Sequence, residues 1–96
     1  MKNGRIIPNA TGEPVEVEYE LWVTGLDDAG GRIRIGDDPT PGDRFMGDPA
    51  SVAPGDLTCI LETATGGKVH IFFKSANGTF VCQFADEARE ALAAGG

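Results

Sequence analysis

One histidine, two cysteines and fifteen carboxylates are the groups in this 96-residue chain with a chemistry of their own. His70 is the natural catalytic base, because imidazole titrates near neutrality unaided. Such a base needs a nucleophile beside it and a third group to orient it. The sequence offers no G-x-S-x-G, no Walker loop and no H-E-x-x-H to supply them. Cys59 and Cys82 form no Cys-x-x-Cys unit, so no zinc site is expected. His70 reads as a cross-strand partner of Glu62. Neither an enzyme nor a bound cofactor is expected.

The carboxylates give two further candidates. From Asp37 to Asp48, Gly42 stands sixth and an acidic residue twelfth, the spacing of a calcium loop. Pro39 and Pro41 occupy the third and fifth positions and supply no side-chain oxygen. Turn chemistry is therefore expected and no metal is assigned. A looser oxygen site of Asp37, Asp38, Asp43 and Asp48 is the basis of an alternative, a small-ligand or Ca-binding β-domain.

The second candidate is Glu16, Glu18 and Glu20, which put three carboxylates on one strand face about 6.5–7 Å apart. A solvent-facing strand explains them without any partner. The sharper reading is a negative stripe that mimics a phosphate backbone and enters a basic groove. Trp22 shares their face, and tryptophan is a favoured interface anchor. Stacking on Arg32 or Arg34 would satisfy it locally instead.

These residues need elements to hold them. Val15, Val17, Tyr19, Leu21 and Val23 alternate with polar residues, the period of a long half-buried strand. Asp27 to Gly31 is turn chemistry, and Arg32-Ile33-Arg34-Ile35 returns with its isoleucines inward, so that Glu20 and Trp22 share a face with Arg32 and Arg34. Arg5-Ile6-Ile7 reads as a short edge strand. Residues 57–84 read as a three-stranded meander turning at Thr65-Gly66-Gly67 and at Asn77-Gly78. A three-residue first turn and a type I′ second turn pair Phe73 with both Cys59 and Cys82. The cysteines then lie two strands apart, roughly 9.5 Å, too far for a disulfide, and are expected to be free and buried.

Residues 36–56 read as a long loop, subdivided by a short strand or core plug at Arg44-Phe45-Met46 and a helical turn at Asp48-Pro49. Residues 86–94 read as a helix with Asp86 as N-cap and Gly95 as its stop. Its apolar stripe is expected to seat on Ile60 and Phe72.

Fourteen glycines and six prolines suit short strands and frequent turns. The expected fold is all-β over residues 1–96: a small antiparallel barrel or sandwich of five to seven strands with one short C-terminal helix. No apolar run approaches a membrane span and the N-terminus lacks a signal-peptide core, so a cytoplasmic location away from membranes is expected.

Net charge is −7, and residues 13–48 carry ten acidic groups against Arg32, Arg34 and Arg44. Direct nucleic-acid binding is disfavoured, since it needs a positive footprint. The favoured function is a non-catalytic, acidic protein-binding domain that engages a protein partner with a basic surface. One specific form is an inhibitor or regulator of a nucleic-acid-handling complex, of the kind mobile elements encode. Its expected surface comprises Glu16, Glu18, Glu20, Trp22, Arg32, Arg34, Asp37, Asp38 and Asp43, with Phe45 or Trp22 filling a pocket. A third reading is an assembly subunit forming homo-oligomers, in which Ile60, Phe72 and Val81 bury against a second copy.

Overall fold

Strands with one apolar face must bury it, and in the computed structural model they do so by closing on themselves. The structure describes residues 1–9, 12–46 and 58–95. Strands β1 (Lys2–Pro8), β2 (Val15–Val23), β3 (Ala29–Arg34), β4 (Thr58–Glu62), β5 (Lys68–Phe73) and β6 (Thr79–Cys82) form a closed barrel in the order β1-β2-β3-β6-β5-β4. Every neighbouring pair is antiparallel. Two meanders, β1–β3 and β4–β6, join through β1–β4 and again through β3–β6. Closure leaves these strands no free edge to pair with another chain.

Inward side chains fill the barrel. Tyr19, Phe80, Ile6, Leu61, Ile71, Val69 and Cys59 are each less than 2 % exposed. Burying a large apolar side chain is worth about 1.5–3 kcal/mol, so this set dominates the stability. The Tyr19 hydroxyl ends its path through the core by accepting the Ala64 N–H at 3.0 Å.

Arg5-Ile6-Ile7 belongs to a seven-residue strand paired on both sides, where an edge strand was expected. Gly4 permits this. A Cβ there would lie 2.5 Å from the Glu62 carbonyl oxygen and 2.8 Å from the Tyr19 ring.

The meander forms, although both of its registers differ by two residues from those expected. Cys59 faces Ile71 and Leu61 faces Val69, while Ile71 faces Cys82 and Phe73 faces Phe80. Thr63 explains the first shift. Its N–H donates to the Gly67 carbonyl at 2.8 Å and its hydroxyl accepts the Gly67 N–H at 3.0 Å, which moves the turn one residue back, onto Ala64-Thr65-Gly66. The second turn is set by Gly78 at φ +101°, whose N–H donates to the Ser75 carbonyl at 3.2 Å. Asn77 Oδ1 accepts both the N–H and the hydroxyl of Thr79. The Gly78 carbonyl also accepts the Ile33 N–H of β3, so a tertiary contact fixes this loop. Side-chain parity survives a slip of two, and the two cysteines still flank one residue, now Ile71. Neither is in a disulfide, and both are buried. Leu57, expected to open the meander, lies outside the described residues.

A helix closes each end. At one end α1 (Asp43–Met46) is a single turn, not the strand considered above. Gly42 packs it onto the β5–β6 turn, donating its N–H to the Ala76 carbonyl at 2.9 Å. At the other end α2 (Ala85–Ala93) plugs the barrel with Ala85, Ala88 and Ala91. This corrects the expected seat on Ile60 and Phe72. A stripe of alanines fits the barrel mouth, where it meets β2, β3 and β5. The N-cap is Phe84, with no side-chain cap, because Asp86 instead meets Arg89 at 2.7 Å. Gly95 stops the helix at φ +89°, as expected. No helix among the described residues is long and apolar enough to cross a membrane.

Candidate interaction surface

Outward side chains alternate with the core residues on every strand, and on β1–β3 they form a charged ladder. Glu18 stands opposite Arg34, Glu20 opposite Arg32, and Arg5 opposite Glu16. The ion-pair distances are 3.8 Å, 3.1 Å and 3.1 Å respectively. Each glutamate of the stripe is thus held by an arginine of an adjacent strand. Arg5 was not singled out from the sequence, because the β1–β2 register decides its place.

The pairs are solvent-exposed, so each is worth at most about 1 kcal/mol. Arg32→Gln is expected to lower stability by less than about 1 kcal/mol. High salt should abolish that difference in denaturant titrations; a larger, salt-insensitive loss would mean that the ladder holds the fold.

Trp22 continues the same face but stands opposite Gly30, not over an arginine. A Cβ on Gly30 would lie 3.5 Å from the indole nitrogen. The absence of a side chain at Gly30 lets the ring lie close to the backbone. Gly30 pairs with Val81, and Val81 with Phe72. Trp22, Val81 and Phe72 therefore follow one another half-way round the six-strand barrel, so that Val81 neighbours Trp22 while Phe72 faces the opposite side. Trp22 is 37 % exposed and Phe72 38 %, with Val81 and Ile60 half-buried.

The remaining candidates part company. Asp37, Asp38 and Asp43 lie at the α1 end of the barrel. Asp38 accepts the Thr40 N–H at 2.9 Å and meets Arg44 at 3.5 Å. Phe45 is 6 % exposed and stacks on Phe73 with centroids 5.0 Å apart. It is a core plug and is corrected as a contact residue: its ring is already packed. Among the described residues no three His, Cys, Asp or Glu side chains gather as a metal-holding group. Asp48 and the Asp48-Pro49 turn lie outside those residues.

His70 faces Ile60, and Glu62 faces Lys68, as the register shift requires. His70 instead meets Glu87 of α2, Nδ1 to Oε2 at 3.0 Å, and its backbone N–H donates to Glu87 Oε1 at 3.1 Å. This pair fastens the helix to β5.

Burial pushes the Cys59 thiol up to about 11. Burial, with the Glu87 charge adding to it, pushes Cys82 up to about 12. Neither is a thiolate near neutrality, so native protein at pH 8 should resist alkylation except through unfolding. The unfolded thiols release their protons near 9.0 while the folded ones keep them. Stability is therefore expected to fall as pH rises from about 9 towards 11–12. Denaturant melts of wild type against a double Cys→Ala variant across that range check the sign; equal slopes would contradict it.

No protein-family model, no curated protein and no solved structure matches this chain.

Proposed function

We propose that the chain is a non-catalytic protein-binding domain that makes its contact through the outer wall of the barrel, with Trp22 as anchor. The observation that carries this reading is Trp22 itself, an aromatic side chain 37 % exposed on the outer wall, with the side-chain-free Gly30 and then Val81 beside it across β3 and β6. Strand addition is closed to a barrel without edges, so contact must come from side chains. Aromatic residues on a rigid sheet cost little entropy to immobilise and make effective anchors.

The reading departs from a phosphate mimic in one respect. Glu16, Glu18 and Glu20 are each engaged by arginine, so the stripe presents paired charges. Carboxylates at the barrel ends, Asp27, Asp28, Asp37 and Asp43 among them, would steer a partner with a basic surface.

The test is affinity capture on immobilised protein, followed by dissociation constants of the captured protein for wild type and Trp22→Ala. A hot-spot tryptophan predicts at least roughly 30-fold weaker binding by the variant. Equal affinity, with the variant's fold intact, would remove the wall as the contact surface.

A further inference from the structure

Resting on that reading, we propose that the partner grips the tip of the β2–β3 hairpin, where Leu26 enters an apolar pocket rimmed by lysine or arginine. Leu26 is 86 % exposed, the most open large apolar side chain among the described residues. It follows Trp22 by four residues on the same hairpin, so the two lie within about 13–14 Å even at full extension. One partner surface can therefore cover both.

A lone exposed leucine is ordinary surface, and two observations set this one apart. The first is how the tip is held. Thr24 and Gly25 donate their N–H groups to the Asp28 carbonyl at 2.9 and 3.3 Å. Arg89 of α2 donates from Nη2 to the carbonyls of Leu26 at 2.6 Å and Gly25 at 3.2 Å, while its Nη1 meets Asp86 at 2.7 Å. The backbone of the tip is thus fastened to α2 while the leucine side chain stands in water. A loop already fixed in shape loses little entropy on binding, which makes Arg89 a positioning residue.

The second observation is charge. Glu16, Glu18 and Glu20 each meet an arginine. Asp27 and Asp28, next to Leu26, meet no cation among the described residues. Arg89 is already taken by Asp86 and the two carbonyls. Uncompensated carboxylates beside an apolar side chain complement a pocket that is apolar within and cationic at its rim.

The probe is the full chain with a photoreactive leucine analogue in place of Leu26, irradiated with the captured protein. It should crosslink to an apolar segment bordered by Lys or Arg side chains; a segment bordered by carboxylates overturns the proposal. Leu26→Ala should weaken binding at least roughly tenfold at an unchanged melting temperature. Asp27→Asn/Asp28→Asn should slow association and flatten its salt dependence. Glu62→Gln/Glu90→Gln, the same charge change beside the β4–β5 turn, should do neither. Arg89→Gln should weaken binding about tenfold; a lower melting temperature with unchanged binding would make Arg89 a helix anchor only. Affinity lost in Trp22→Ala but kept in Leu26→Ala overturns the hairpin tip and leaves the wall. Affinity kept in both variants, or no captured protein, sinks both.

Discussion

Gly31→Ala is expected to leave no cooperatively folded protein. Gly31 faces Leu21 across β2–β3 and Phe80 across β3–β6, at the seam that joins the two meanders. A Cβ there would overlap the Glu20 carbonyl oxygen and lie 2.5 Å from Phe80 Cζ. Overpacking usually costs about 1–3 kcal/mol because side chains can shift. The carbonyl is backbone held in a strand and cannot shift without breaking the β2–β3 register. A domain of this size has about 5–15 kcal/mol of stability in all. Thermal melts followed by circular dichroism check it: the variant should show no sigmoidal transition. A melt within a few degrees of wild type would mean that the barrel seam is looser than described.

Phe80→Ala should cost about 3–5 kcal/mol, which lowers Tm by roughly 15–30 °C for a chain of this length. Phe80 is almost fully buried, packs edge-on to Phe73 with centroids 5.9 Å apart, and lies over Gly31. Its removal leaves a cavity that a closed barrel is poorly able to collapse. The double variant Gly31→Ala/Phe80→Ala separates the two contacts at Gly31. Removing the ring relieves one overlap and leaves the carbonyl, so no rescue is expected. A double variant more stable than Gly31→Ala would show that the ring decides the cost.

The strand β2 and the absence of a Cys59–Cys82 disulfide were legible in the sequence for one reason. Side-chain parity is a local property, and neither depends on absolute register. Cys59 and Cys82 flank a common residue whether that residue is Phe73 or Ile71. Register itself was not legible. Thr63 and Asn77 spend their side chains on turn hydrogen bonds, and Gly78 is held by Ile33 from another meander. The seat of α2 was missed because alanines at 85, 88 and 91 fit a barrel mouth that exists only after closure.

The candidate surface divides along the same line. Glu18, Glu20, Arg32 and Arg34 were placed correctly because one hairpin holds them. Arg5 and Val81 join that surface only through the β1–β2 and β3–β6 pairings. Phe45 was misread as a contact residue because its core partner, Phe73, lies far away in sequence.

The most direct measurement is fluorescence of Trp22, the single tryptophan, with acrylamide quenching in dilute protein. An anchor exposed on the barrel wall predicts red-shifted, readily quenched emission from the isolated protein. Blue-shifted, protected emission in dilute, monomeric protein would put Trp22 under cover within one chain and contradict the wall as a contact surface.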